Sequence, residues 1–314
     1  MQLTNFFSRL IGDISTKPFY GPAYAFIRSL LALATLSFLV FNSSEIIFYY
    51  GLNNEMTVIC TGKNPLSLFC VFGVENLLWA RIFSIAVLLA VISGYFPRFT
   101  GVLHWWVAFS ISSSLYNVDG GDMINAIFTF FLIPFTLFDK RINHWRKAGF
   151  SLNIYQQITL FLFALAVKMQ VAVIYLHAGV AKMGVQEWTN GTAVYYWFND
   201  LNFGSSGLVH VITAWLTSMP FTVSLITWGT MLLEVLLFSA LFSSNRNFKN
   251  ILFFTAVFFH LGIWAVHGLF SFALIMIACL VMYLKFYEWN ALDFQTIKDK
   301  ILSPRQDKKL VLDN

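Results

Sequence analysis

The distribution of apolar positions along this 314-residue chain predicts a series of membrane-spanning helices. Long apolar runs recur up to the C-terminal region, and several exceed the roughly 18 residues needed to cross the hydrocarbon core of a bilayer. We predict eight helices, over residues 23–43, 79–96, 101–117, 122–138, 156–181, 221–243, 250–267 and 269–287. The pattern therefore predicts an all-α, multi-pass membrane protein.

The polar stretches between these runs divide the chain into three parts. Residues 1–22 form a polar N-terminal segment, residues 23–287 the transmembrane domain, and residues 288–314 a polar tail. The two outer loops, residues 44–78 and 183–220, are each too small to bury a core of their own. Any binding or chemical site must therefore be built from the helices and these two loops.

Composition and charge agree with this fold class and predict an orientation. The chain is 58% hydrophobic and only 11% charged, whereas soluble domains carry about 25% charged residues. In the eight-helix topology most of the 20 Lys and Arg residues fall on the side that holds both termini, and cytoplasmic loops carry the excess of such residues. We therefore expect an N-in, C-in protein of the plasma membrane. The lipid bilayer is its expected partner, and nucleic acid is not, because the chain has no basic soluble domain.

Two ionisable residues fall near the middle of predicted helices, where an unpaired charge costs several kcal/mol. They are Lys168 in the fifth helix and Glu234 in the sixth. Because consecutive helices run antiparallel, these residues should reach a similar depth, and we predict a buried ion pair between them. The pair would either hold the two helices together or belong to a proton relay or substrate contact.

A further lysine, Lys182, ends the same helix in the stretch YLHAGVAKMGVQEWTNG, residues 175–191. The spacing of seven residues places Lys168, Tyr175 and Lys182 on one helix face. The turn between the third and fourth helices should emerge on the same outer side and bring Asp119 and Asp122 toward Lys182. The alternative is a tight turn with two solvated aspartates.

The remaining candidate residues lie on the seventh helix and the first outer loop. His260, Trp264 and His267 share one face of the seventh helix. Without a CxxC motif or a carboxylate cluster of ligand spacing, the sequence predicts no metal site. Cys60 and Cys70 both lie on the first outer loop, where an oxidising compartment would allow a disulfide between them.

Three stretches resemble the horizontally transferred transmembrane domain family, which includes the vitamin K-dependent gamma-carboxylases. The first is residues 175–191, with Tyr175, Lys182 and Trp188 among the shared positions. The others are AFIRSLLALA, with Arg28, and FFHLGIWAVHGLFSFALIMIACL, with His260. By its length and its bare membrane domain, the chain is most similar to the sporulation-delaying protein B subgroup.

The resemblance implies a lysine-centred site near the outer membrane face, with Lys182 as a base. It further implies a role in the maturation or modification of a secreted antimicrobial peptide. The peptide precursor and a second maturation protein are then candidate partners, and a membrane quinone of the vitamin K type is a candidate cofactor. Other candidate catalytic residues are Asp119, Asp122 and His260, and candidate substrate or quinone contacts are Tyr175, Trp188, Trp264 and His267.

Two questions stay open at the level of the sequence. Lys182 is either a neutral base in an apolar pocket or a cation paired with Asp119 or Asp122, and these roles exclude each other. The first candidate for the chain is a membrane enzyme, gamma-carboxylase-like in its chemistry, that modifies the peptide. The alternatives are a quinone-dependent carboxylase-like or oxidoreductase-like enzyme that acts on another substrate, and a non-catalytic peptide export or immunity component. Unlike the carboxylases it has no large lumenal region, and it reads NVDGGD, residues 117–122, where they place a histidine after an asparagine. Glutamate carboxylation itself is therefore not expected.

Overall fold

A computed structural model of the chain describes residues 11–50, 55–62 and 64–292. Residues 1–10 of the predicted N-terminal segment and residues 293–314 of the predicted tail lie outside the described residues. Eight long helices are present in the described ranges: Pro22–Phe41 (α1), Leu77–Ser93 (α2), Pro97–Ser114 (α3), Gly120–Phe138 (α4), Ile154–Met183 (α5), Pro220–Ser239 (α6), Arg246–His267 (α7) and Phe270–Leu280 (α8). A π-helical segment, Val281–Lys285, and a short helix, Phe286–Asn290, continue α8.

Short elements occupy the two longest connections. The α1–α2 connection contains the helices Ser44–Ile47 and Leu68–Phe72, the 3-10 turns Asn64–Leu66 and Val74–Asn76, and the antiparallel two-residue strands Tyr49–Tyr50 (β1) and Met56–Thr57 (β2). The α5–α6 connection contains the helices Gln186–Thr189, Ala193–Phe198 and Gly207–Thr217. Within the described residues the fold is therefore almost entirely helical, and the predicted fold class is confirmed.

Seven of the described helices are long and apolar enough to cross a membrane. The eighth, α3, is more polar because it contains Arg98, His104 and several serines. Its ends nevertheless reach the same two levels as its neighbours. At its start, the backbone N–H of Phe96 donates to the carbonyl of Ile142 in the α4–α5 loop, and at its end the carbonyl of Ser114 accepts from Ile59. The packing of α3 therefore agrees with the predicted eight-helix arrangement.

Both described ends of the chain lie on one face of the bundle. Asn290 accepts a hydrogen bond from the backbone N–H of Tyr24 at 3.0 Å, and its amide donates to the carbonyls of Pro18 and Phe19. We call this side the terminal face; the α2–α3 and α4–α5 connections lie there. The opposite side, the loop face, holds the α1–α2, α3–α4 and α5–α6 connections. That the terminal face is cytoplasmic remains the expectation drawn from charge.

Arg28 is buried within the bundle at the terminal face, where it joins α1 to α3 and to the α4–α5 loop. Its guanidinium donates to Nδ1 of His144 at 2.7 Å and to the hydroxyl of Thr100 at 3.1 Å. Burial and the neighbouring Arg28 charge lower the pKa of His144 to about 2. The neutral ring can therefore accept a hydrogen bond from the guanidinium, and this contact gives Arg28 a structural role.

Two apolar cores support the bundle. The larger lies among α1, α4, α5, α6, α7 and α8, and the smaller packs the α1–α2 connection against α1, α2 and α3. A disulfide between Cys60 and Cys70, with their Cα atoms 5.8 Å apart, closes a loop over the smaller core. The larger core leaves a gap toward the loop face, where the candidate site lies.

Candidate functional site

A cavity of about 520 Å³ lies between α5, α6, α7 and α8 at their loop-face ends. Its wall is mainly apolar, yet it includes six of the residues singled out in the sequence: Tyr175, Lys182, Trp188, Glu234, His260 and His267. Because ionisable groups are costly inside a membrane domain, their convergence on one cavity marks it as the candidate functional site.

Lys182 and Glu234 form an ion pair in the cavity wall. The ammonium of Lys182 donates to Oε1 of Glu234 at 2.7 Å and to the carbonyl of Ala178 at 3.3 Å, and it lies 5.1 Å from the ring centre of Trp188. The Lys182 side chain is 23% exposed and that of Glu234 is 5% exposed. Oε2 of Glu234 is buried and makes no hydrogen bond within the described part of the chain. One carboxylate oxygen beside the cavity is therefore without a hydrogen-bond partner.

Gly179 explains how α5 and α6 approach closely enough to form this pair. A Cβ atom at Gly179 would lie only 3.3 Å from a methyl group of Val235 and 3.4 Å from Cβ of Glu234. A side chain at this position would force these neighbouring α6 side chains to shift. Lys182 is one turn further along the same face of α5, so its amine reaches the carboxylate.

Tyr175 and His260 form a second polar pair in the wall. The hydroxyl of Tyr175 lies 2.9 Å from Nε2 of His260, and both side chains are buried. Nδ1 of His260 is buried and, among the described residues, has no hydrogen-bond partner. Since buried polar groups are normally satisfied, the free nitrogen is a second position for a ligand contact.

Aromatic residues of the α5–α6 connection line part of the cavity. Trp188 comes from the helix Gln186–Thr189, and Trp197 and Phe198 come from the helix Ala193–Phe198. His267 packs against the rings of Trp197 and Phe198, and its Nδ1 lies 2.6 Å from the carbonyl oxygen of Phe203. This contact ties the α5–α6 connection to the end of α7.

The predicted ion pair between Lys168 and Glu234 is wrong. Glu234 pairs with Lys182, while the ammonium of Lys168 lies 4.7 Å from the ring centre of Tyr287. The prediction assumed that the midpoints of the two helices are level. In the structure α5 has 30 residues and α6 only 20, and Glu234 packs beside Gly179, about 16 Å along the α5 axis from Lys168.

Asp119 and Asp122 do not lie at the cavity, so the alternative pairing of Lys182 with either of them is also wrong. They form a capping box at the start of α4. Asp119 accepts from the backbone N–H of Asp122 at 3.0 Å, and its own N–H donates to the Asp122 carboxylate at 3.2 Å. These bonds satisfy backbone donors that a helix start leaves free.

Trp264 also falls outside the cavity. Its ring packs 5.1 Å from that of Phe270, and 42% of the residue is exposed. The reason is that α7 presents the flank of His260, Ile263 and His267 to the cavity and turns Trp264 toward the start of α8. Sequence reasoning missed Trp197, Phe198 and Thr230; the last could have been found, because it lies one helical turn before Glu234 on α6.

No group of three or more His, Cys, Asp or Glu residues in the described ranges could hold a metal ion. The Lys182–Glu234 and Tyr175–His260 pairs each contain one buried atom without a hydrogen-bond partner among the described residues.

The chain is similar to two proteins of Bacillus subtilis. It is 38% identical over 265 residues to the uncharacterized protein YitO, an alignment that covers 83% of this chain and 84% of YitO. It is 37% identical over 279 residues to sporulation-delaying protein SdpB, covering 88% of this chain and 84% of SdpB. The chain belongs to the SdpB family. The expected subgroup is thus confirmed, and bacterial relatives together with the apolar helices identify a multi-pass protein of the plasma membrane.

The resemblance to the gamma-carboxylases remains an expectation drawn from the sequence. The chain matches no protein-family model. No solved structure matches it either.

Proposed function

We propose that this SdpB-family protein acts in the maturation of a secreted peptide, binding an apolar segment of the precursor in the cavity and acting on it through Lys182 and Glu234. The observation that carries the proposal is the buried, unpaired Oε2 of Glu234 beside Lys182 in an apolar cavity. Similarity to a sporulation-delaying protein supports the peptide pathway. The volume of about 520 Å³ is also in the ordinary range of ligand sites, about 300–1,000 Å³.

The Lys182–Glu234 contact is compatible with a role of the lysine as a base, although the lysine has an acidic partner. At a separation of 2.7 Å, the proton can reside on the amine or on Oε1. Transfer of this proton to Oε1 would leave a neutral amine beside a neutral acid. Lys182 can therefore act as a base while it keeps its partner, and the liberated proton stays on Glu234.

Tyr175 and His260 supply a second proton-transfer position on the same wall. If the tyrosine hydroxyl donates to Nε2, the histidine carries its proton on Nδ1, the atom without a partner. That N–H would donate to an oxygen of a substrate bound in the cavity. A base and a hydrogen-bond donor in one site are a common arrangement for acid–base chemistry.

A membrane quinone is the candidate cofactor within this proposal. The aromatic and apolar lining suits a quinone ring, and His260 and Lys182, which both line the cavity, would contact its oxygens. A bound quinol would supply reducing equivalents. The chain's own contribution would be to hold the ring, exclude water and keep the Lys182 proton within the pair.

The proposal is tested by deleting the gene in its host bacterium and comparing the masses of secreted peptides. We expect one peptide to change in mass, and the wild-type gene should restore it. A matched control is Arg246→Ala, which removes an exposed ion pair with Glu288 on the terminal face and should also restore it. A peptide of unchanged mass that is only less abundant in the medium would contradict maturation and favour a non-catalytic export component. If the deletion only makes the cells sensitive to their own secreted peptide, the result would favour an immunity component.

A further inference from the structure

Two lysines lie over the ring of one tyrosine at the terminal face, on the other side of the bundle from the cavity, and a third lysine lies near one of them. The ammonium groups of Lys168 and Lys17 lie 4.7 Å and 5.0 Å from the ring centre of Tyr287. Lys249, at the start of α7, is near enough to Lys168 for their charges to repel. We call these three residues the lysine cluster.

No carboxylate of the described chain offsets these charges. None of the described Asp or Glu residues forms an ion pair with a member of the lysine cluster. Glu288, next to Tyr287 in sequence, is already bound by Arg246 at 2.7 Å and by Lys285 at 3.4 Å. The lysines are all half-buried, so the repulsion between them is screened less than at an open surface. An anion from outside the chain would remove this cost.

A second cavity begins at Lys17 and gives such an anion room. Its volume is about 230 Å³, and its wall includes Phe19, Tyr20, Phe150, Ser151 and Gln157. Lys17, the Ser151 hydroxyl and the Gln157 amide are hydrogen-bond donors. Lys140 lies beside this wall, with its ammonium 5.9 Å from the ring centre of Phe150. The cavity is thus a cationic recess of headgroup size.

Apolar side chains continue from the lysine cluster along the outside of α5. Leu162, Leu165 and Met169 flank Lys168 and are 55%, 39% and 52% exposed. A cationic recess next to an exposed apolar helix face matches both parts of an anionic phospholipid, the charged headgroup and the acyl chain. A soluble phosphate would contact only the cationic recess.

We propose that the lysine cluster binds the phosphate of an anionic phospholipid, with the headgroup in the recess beside Lys17 and an acyl chain along α5. The lipid would supply the missing negative charge and hold α5, α7 and the segment before α1 together. Anionic lipids are available at the face that the charge distribution predicts to be cytoplasmic.

The test uses the full-length protein purified in mild detergent. Native mass spectrometry would compare retention of phosphatidylglycerol with that of phosphatidylcholine, and thermal unfolding would be followed with each lipid or with inorganic phosphate alone. We expect selective retention of phosphatidylglycerol, about fivefold weaker in Lys17→Gln and about 25-fold weaker when Lys168→Met is added. Arg146→Gln removes an exposed cation from the same face and should bind as the wild type does.

Three results would overturn the proposal: equal retention of both lipids, unchanged selectivity in the double variant, or a loss in Arg146→Gln as large as that in Lys17→Gln. A thermal shift with inorganic phosphate equal to that with phosphatidylglycerol would also reject a lipid site, and would indicate a free-phosphate site. Lys17 precedes the first spanning helix, so Lys17→Gln keeps the test decisive even if Lys168→Met fails to fold.

Discussion

At the scale of single residues, Lys182 and Glu234 differ in how far each can reach water. Glu234 is nearly closed off, whereas Lys182 is partly exposed. Lys182→Met should therefore strand a buried carboxylate and destabilise the protein by about 3–5 kcal/mol. Glu234→Gln should reduce the free energy of unfolding by less, because the amine of Lys182 can turn toward solvent.

Thermal unfolding of the purified variants measures this asymmetry. The double variant Lys182→Met with Glu234→Leu should recover most of the stability, since neither charge remains. If Lys182→Met alone unfolds at the wild-type temperature, the pair does not contribute as its geometry indicates.

The Tyr175–His260 contact yields a second prediction at this scale. Tyr175→Phe leaves both nitrogens of His260 without a partner inside the bundle, which should cost about 1–3 kcal/mol in stability and should lower peptide maturation. Tyr283→Phe is the matched control: it also removes a buried tyrosine hydrogen bond, to the carbonyl of Leu237, but lies outside the cavity. Equal maturation in the two variants would remove Tyr175 from the site.

At the scale of helices, the capping box of α4 separates a structural role from a catalytic one. Asp119→Ala should destabilise the protein by about 0.5–2 kcal/mol, because it leaves the Asp122 N–H without its acceptor. Asp119→Ser should retain the cap and most of the stability. Both variants should mature the peptide normally once expression levels are matched. A stable Asp119→Ser protein that fails in maturation would return Asp119 to the list of catalytic candidates.

The helices themselves were predictable from the sequence, but their relative heights were not. Each predicted span overlaps one observed helix because a bilayer-length apolar run has few alternatives. The contacts between α5 and α6 depend on how far each helix extends beyond the other. The sequence does not give this relative height, and the predicted Lys168–Glu234 pair is wrong for that reason. Gly179 marks the true contact, yet a glycine inside a helix does not reveal its partner.

Some features of the candidate site could also be predicted from the sequence, and others could not. The spacing of Tyr175 and Lys182 on one face was readable, and both line the cavity. The orientation of Trp264 could not be predicted. The face of α7 that includes His260, Trp264 and His267 is wide enough to contact both the cavity and the start of α8. The pairing of His260 with Tyr175 required the packing of α5 against α7 and α8.

At the scale of the whole molecule, the contacts of Asn290 with Pro18 and Phe19 require an even number of crossings between them. Combined with the charge distribution, this predicts cytoplasmic termini. Reporter fusions at residue 314 and within residues 140–150 should behave as cytoplasmic, and a fusion within residues 190–210 as external. An external signal from residues 140–150 would show that the predicted orientation is reversed and that the cavity lies on the cytoplasmic side.

The most direct measurement for the central claim is the mass of the secreted peptide in cells that carry Lys182→Arg, Lys182→Ala or the control Arg246→Ala at equal protein levels. If Lys182 acts as a base, arginine keeps the charge beside Glu234 but cannot release its proton, so both Lys182 variants should secrete unmodified peptide. The control should secrete the mature form. Mature peptide from cells with Lys182→Ala would contradict the account.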